Sequence, residues 1–291
     1  MFKVIKVKLA LGTVQFGLSY GITNNTGQVQ KDEIDNILKH ACEHNIQILD
    51  TASAYGNSET VLGNTASKYF KIISKIPEVS KLETTIRSCL SDSLMKLKRE
   101  SIYGLMFHHE KDLLTSENYF REVIELKAEG LVDKIGCSFY SVDALSEAFN
   151  MGYELDIIQI PGNCLDQRFL NSGILKEAKT RGVEVHCRSL FLQGLLLEEG
   201  AVLPRALETS KKELENFFTF CKLKNISPLI ATLKLLQQTD TIDYGVVGCI
   251  TKLQLAEITC AYEKAINYTD FIDFSELSSS NDILLNPTLW K

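Results

Sequence analysis

Short runs of β-branched and aliphatic residues alternate about eight times with longer segments of helical period, and this alternation constrains the fold more than any other feature of the chain. The runs cover residues 7–13, 46–52, 70–76, 102–109, 134–139, 156–162, 183–190 and 244–249. Between them apolar residues recur at helical spacing, as Ile34, Ile37, Leu38, Ala41 and Cys42 do over 31–44. Leu82, Ile86, Leu90, Leu94 and Leu97 repeat that pattern over 80–98. Strands that are nearly all apolar and separated by single helices imply a parallel sheet covered on its outer face. Eight such units predict a closed (β/α)8 TIM barrel. Pro77, Pro161, Pro204, Pro228 and Pro287 fall near segment ends, and no proline- or glycine-rich linker interrupts the pattern. A single domain is therefore expected, with its core over about 7–262 and a C-terminal tail over 263–291.

Composition narrows the function. The net charge of -6 disfavours nucleic acid or an anionic membrane as the main partner, because both require clustered positive charge. The eight cysteines form no Cys-x-x-Cys pair and mostly lie in apolar runs, where a thiol behaves as a small hydrophobe. That usage points to a reducing compartment. Met1 to Leu11 alternates lysine with aliphatic residues, unlike the unbroken apolar core of a secretion signal, and no later stretch is apolar enough to span a bilayer. A cytoplasmic protein, monomeric or weakly self-associating, is expected.

The strand ends carry the chemistry. Asp50 ends the second run, Tyr55 lies in the loop after it, Lys75 ends the third, and His108 ends the fourth. In a parallel barrel the C-terminal ends of successive strands share one rim, so these side chains should converge. A free tyrosine, with a pKa of about 10, is a weak acid near neutrality and needs a neighbouring cation to donate its proton readily. Lys75 can be that cation, and Asp50 can hold it charged. Read separately, Asp50 is a helix cap, Tyr55 rim packing and Lys75 a solvated strand end. Four polar residues at equivalent positions favour a shared site.

The motif Asp50-Thr51-Ala52-Ser53-Ala54-Tyr55-Gly56-Asn57-Ser58-Glu59, with Gly12-Thr13-Val14-Gln15-Phe16-Gly17 at the start of the chain, resembles the aldo-keto reductase superfamily in its bacterial branch. Ile135-Gly136-Cys137-Ser138, Ile158-Gln159-Ile160-Pro161-Gly162-Asn163 and Arg188-Ser189-Leu190-Phe191-Leu192-Gln193-Gly194-Leu195 extend the resemblance over about residues 7–262. It implies a barrel that binds a nicotinamide cofactor without a Rossmann domain and reduces an aldehyde or ketone, with no metal. Tyr55 would be the general acid, Lys75 would lower its pKa, Asp50 would pair with Lys75, and His108 would orient the carbonyl oxygen. His109 would point away from the site, since strand side chains alternate faces.

The same resemblance implies that Gly12, Thr13, Asp50, Ser138 and Gln159 surround the nicotinamide. Arg188 stands where many relatives stack an aromatic ring on it, and Ser189, Leu190, Phe191, Gln193 and Gly194 would wrap the pyrophosphate. Phe139 replaces an asparagine common in relatives. At the adenosine end Gly248, Cys249 and Gln254 occupy places where the family often supplies lysine, serine and arginine to the 2'-phosphate of NADP. NADP(H) is the family expectation and NAD(H) an alternative, because that clamp is degenerate. Lys252 would partly replace it, and Glu257 lies beside it.

The remaining signals are weaker. The segment 192–207 reads as a lid or cofactor strap, or as a tolerated insertion. His40-Ala41-Cys42-Glu43-His44 has the spacing of an inverted zinc-protease motif, and solvated surface histidines on the opposite rim are the expectation. The tail from Asn267 has weak periodicity and reads as partly mobile or as docking at a subunit interface. The substrate is expected to be a small carbonyl compound, with a sugar-derived carbonyl as the candidate class and Gln15, Asn163, Arg188 and Gln193 as hydrogen-bonding candidates. Two rival readings are a non-catalytic nicotinamide-binding regulatory subunit and a barrel lyase or isomerase without redox chemistry.

Overall fold

A computed structural model describes residues 8–79 and 84–290. Leu82, Met1 to Val7 and Lys291 therefore lie outside the described residues. Eight parallel strands close a barrel in sequence order, β1 (Lys8–Gly12), β2 (Ile48–Asp50), β3 (Lys71–Ile76), β4 (Ile102–Phe107), β5 (Val132–Ser138), β6 (Ile157–Pro161), β7 (Glu184–Arg188) and β8 (Tyr244–Gly248). The strands fall at the expected runs, although β5 begins at Val132, before the run expected from 134. The helix Lys31–Glu43 matches the first helical stretch, and Ile86–Leu97, capped by the Thr85 hydroxyl, matches the described part of the second. Among the described residues no helix is long and apolar enough to cross a membrane.

Alternation along the strands sets the site. Ala10, Ile48, Ile73, Met106 and Ile157 fill the barrel interior, while their neighbours Leu9, Leu11, Leu49, Ile72 and Leu105 pack outward against the helices. A strand repeats its direction every second residue. Two residues beyond each interior side chain therefore stand Gly12, Asp50, Lys75, His108 and Gln159, facing the same way at the C-terminal mouth.

A second core closes one side of that mouth. Leu192, Leu195, Leu196 and Leu207 pack with Phe217, Phe218, Ile272, Phe274, Leu284, Leu285 and Trp290. The tail thus packs onto its own barrel. Gln167 donates to the Phe274 carbonyl at 2.7 Å, Ser279 N–H to the Leu165 carbonyl at 2.8 Å, and Trp290 Nε1 to the Ile283 carbonyl at 2.6 Å. Burying each large apolar side chain contributes about 1.5–3 kcal/mol, which offsets the ordering of a segment with little regular secondary structure. Its weak periodicity follows from its short helical pieces, Ser275–Leu277, Asp282–Leu285 and Pro287–Leu289.

His40 departs from expectation. It is buried, hydrogen-bonds Thr259 at 3.1 Å and packs its ring 4.1 Å from that of His44. Thr259 belongs to the helix Lys252–Asn267, so the histidine pairs two outer helices, and burial holds its pKa below the ordinary value. Among the described residues no group of three potential ligands is placed to hold a metal ion.

Candidate active site

The loop after β2 is built by hydrogen bonds from its own motif. Ser58 Oγ donates to the Thr13 carbonyl at 2.9 Å, Thr51 Oγ1 donates to Ser58 Oγ at 3.1 Å, and Ser74 Oγ donates to the buried Glu59 carboxylate at 2.6 Å. Ser58 and Glu59 thus hold the loop that carries Tyr55. Gly17 makes this close packing possible, because a Cβ there would lie 1.8 Å from the Tyr55 carbonyl oxygen and 2.5 Å from Ser58 N. Gly17→Ala is expected to cost about 1–3 kcal/mol through overpacking and to displace Tyr55. Urea denaturation and turnover of the variant check this, and wild-type values for both would remove the contact from the account.

Inside the barrel Lys75 Nζ donates to Asp50 Oδ1 at 2.6 Å and to the Thr51 carbonyl at 3.0 Å. Gln159 Nε2 donates to the other carboxylate oxygen of Asp50 at 2.8 Å. Asp50 and Lys75 are almost wholly excluded from solvent, so each charge depends on the other. The ammonium lies 5.2 Å from the centroid of the Tyr55 ring, and His108 meets that ring edge-on at 5.7 Å.

The electrostatics correct one expectation. Burial raises the Tyr55 pKa well above that of a free phenol, and Asp50 raises it further, against the lowered value expected from the sequence. The phenol therefore stays protonated near neutrality. His108 is pushed down to about 4, first by burial and then by Lys75. Its imidazole is therefore neutral near pH 7, with one N–H to donate. His109 lies outside this group: it starts the next helix, Glu110–Thr115, and stacks on Tyr140 at 4.6 Å.

Tyr55 and His108 open into a cavity of about 510 Å³. Gly12, Thr13, Asp50, Ser138, Gln159 and Arg188 line it near them. Ser189, Leu190, Phe191, Gln193 and Gly194 form one wall, and Gly248, Cys249, Gln254 and Glu257 run from the end of β8 into the helix Lys252–Asn267. Lys75 sits behind Asp50 rather than on the cavity surface. Lys252 is likewise not among the residues that line the cavity. Its backbone N–H donates to Glu33 at 2.6 Å, and its charge bears on His40 instead.

The segment beginning at 192 is an anchored wall. Thr23 Oγ1 donates to the Gln193 carbonyl at 3.1 Å, and a Cβ on Gly194 would lie 2.1 Å from that hydroxyl. Ser189, Leu192 and Gln193 all hold positive φ, of 62°, 48° and 55°. Such backbone costs on the order of 1–3 kcal/mol per residue and persists where the surroundings dictate it.

Sequence reasoning missed Tyr20, Tyr140, Pro287 and Thr288, which also line the cavity. Tyr140, two residues beyond Ser138, was findable as an aromatic just past a strand end. Tyr20 lies in a long loop and Thr288 in the tail, where no periodicity marks position. The Tyr20 hydroxyl is pushed up to about 12, chiefly by burial and then by Tyr55.

A family model described as the aldo/keto reductase family matches residues 8–278. An uncharacterized oxidoreductase of Schizosaccharomyces pombe is 23% identical over 196 residues, 63% of this chain and 70% of that protein. The holo form of an aldo-keto reductase from Bacillus halodurans superposes with a TM-score of 0.74 at 18% identity, covering 98% of this chain and 95% of that one. A glycerol dehydrogenase from Gluconobacter oxydans gives 0.68 at 18% identity, covering 94% and 98%. At these identities the structural likeness speaks to fold alone.

Proposed function

The chain belongs to the aldo/keto reductase family, and on that premise we propose that it reduces an aldehyde or ketone with a nicotinamide dinucleotide, Tyr55 acting as the proton donor. The observation that carries this reading is the convergence of Tyr55 and a neutral His108 on one cavity, backed by the buried Asp50–Lys75 pair. When bound, the dinucleotide supplies the hydride. His108 donates its N–H to the carbonyl oxygen and polarises it, and Tyr55 passes its proton to that oxygen as negative charge develops. Asp50 and Lys75 hold a fixed field beneath the phenol, and Gln159 fixes the second carboxylate oxygen.

The residues at the other end of the cavity suit the rest of a dinucleotide. Gln15 carries a buried amide oxygen with no partner, beside Gly248, where a Cβ would lie 3.0 Å from its amide nitrogen. That unpaired acceptor fits a ribose hydroxyl. Among the described residues Arg188 is the only lysine or arginine that lines the cavity, and it lies at the Tyr55 end. Glu257 stands at the opposite end, and Gln254 Oε1 already accepts the Ile250 N–H at 2.9 Å. A 2'-phosphate would meet a carboxylate there and no lining cation, so NAD(H) is the better occupant.

Fluorescence titration with NADH and NADPH tests both parts. NADH is expected to bind at least about tenfold more tightly, since each missing charge-assisted contact is worth about 1.5–3 kcal/mol. Glu257→Lys should narrow that gap. Failure of both dinucleotides to bind would end the redox reading, whereas tighter binding of NADPH would reverse only the choice between them.

A further inference from the structure

Arg188 has no carboxylate partner among the described residues, although it lies in the wall of the reaction cavity. Its donors reach only neutral oxygens at long range: Ser138 Oγ at 3.3 Å, Ser189 Oγ at 3.3 Å and the Phe139 carbonyl at 3.4 Å. The guanidinium is nevertheless held in place, stacked 4.2 Å over the Tyr140 ring, which in turn stacks on His109. A partly buried cation with weak donors and a fixed plane is preorganised for an anion that the protein itself does not provide.

A second cavity of about 210 Å³ shares Arg188, Tyr140 and Pro287 with the reaction cavity and continues under the folded tail. Arg168 forms part of its wall. That arginine commits Nε and Nη2 to the buried Asp166, both at 2.9 Å, which leaves Nη1 with only the exposed Asp282 at 3.9 Å. Two guanidiniums, with the exposed Asp282 carboxylate, thus border a small space that meets the reaction cavity at Arg188, Tyr140 and Pro287 and is closed by the tail.

We propose that the substrate carries an anionic group, a carboxylate or a phosphate, and that Arg188, with Arg168 behind it, receives this group in the cavity under the C-terminal tail. The proposal rests on the carbonyl-reduction reading and adds the substrate's charge to it. With the anion there, the carbonyl is left facing Tyr55 and His108, so the pair of arginines sets which end of the substrate is reduced. The positive charge of Arg188 already bears on Tyr55, Tyr20 and His108, as a group bordering the reacting atoms must.

The test is calorimetric titration of the full chain, pre-saturated with NAD+, with succinate and separately with inorganic phosphate. Kinetics on matched pairs accompany it: succinic semialdehyde against butanal, and glyceraldehyde 3-phosphate against glyceraldehyde. One of the two anions is expected to bind, and the charged member of its matched pair should have the higher kcat/KM by about tenfold or more. In Arg188→Met the charged-to-neutral ratio should fall about ten- to a hundredfold, and Arg188→Lys should retain part of it. If Arg188→Met does not fold, the wild-type titration and its charged-to-neutral ratio still decide the matter. The proposal is overturned if neither anion binds, or if neutral substrates match charged ones. It also fails if Arg188→Met weakens NADH and the anion equally, which would assign the guanidinium to the dinucleotide. Failure of dinucleotide binding would instead defeat the carbonyl-reduction reading, and anion binding would then be read on the chain without NAD+.

Discussion

Tyr55→Phe is expected to lower carbonyl reduction by about a hundred- to ten-thousandfold, the range that a positioned general acid contributes, while NADH affinity stays within about threefold of wild type. The substitution removes one oxygen and leaves the ring packed edge-on against His108 and over the Lys75 ammonium. It therefore subtracts the proton and little else. The effect should be largest here because the phenol is protonated over the whole physiological range, its pKa raised by burial and by Asp50. His108, neutral above about 4, cannot take over as an acid near pH 7. Stopped-flow turnover with NADH, alongside equilibrium titration of the nucleotide, separates the two quantities. Unimpaired turnover would mean that the proton comes from elsewhere, and a parallel loss of NADH affinity would mean that Tyr55 serves binding.

Lys75→Met should be the most destabilising single change in the site. It leaves Asp50 charged, solvent-excluded and held only by the Gln159 amide at 2.8 Å. Breaking a buried ion pair from one side costs about 3–5 kcal/mol, a large fraction of the net stability of a typical domain. The double variant Asp50→Asn with Lys75→Met removes both charges and should recover much of that loss, because the cost lies in the stranded carboxylate. Denaturant unfolding of the single and double variants measures this directly, and equal stabilities would show that Asp50 is not stranded. The variant also removes the second-largest influence holding His108 near 4, after burial. The imidazole should therefore titrate at higher pH, and the acid limb of any residual activity should move upward, which proton NMR of His108 would follow.

The barrel was legible because its signal is repetitive. Apolar runs of strand length recur between helical periods, and no single misread element, such as the early start of β5 at Val132, can break a pattern repeated around a closed sheet. The convergence of Asp50, Lys75 and His108 was legible for a related reason: residue parity along a parallel strand decides which way a side chain faces. Where periodicity lapses, reading failed. His40 looked solvated from its own helix, and only the helix Lys252–Asn267 packing over it, with Thr259 against the imidazole, explains its burial. The tail gave no periodic signal, yet Phe274, Leu284, Leu285 and Trp290 are buried in the second core.

By itself, then, the amino-acid order determined the barrel and the rim on which Asp50, Tyr55, Lys75 and His108 stand, since both depend on local spacing that a chain carries wherever it is. Charge states and cavity walls were decided by the tertiary structure. The Tyr55 pKa is raised rather than lowered because burial disfavours the phenolate and because the Asp50 charge lies close to it, and neither is a property of spacing. Lys252 is not in the cavity wall, and the tail brings Pro287 and Thr288 into it, because these positions are set by contacts between elements far apart in the chain. Those contacts exist only once the apolar faces of the distant elements have been buried together.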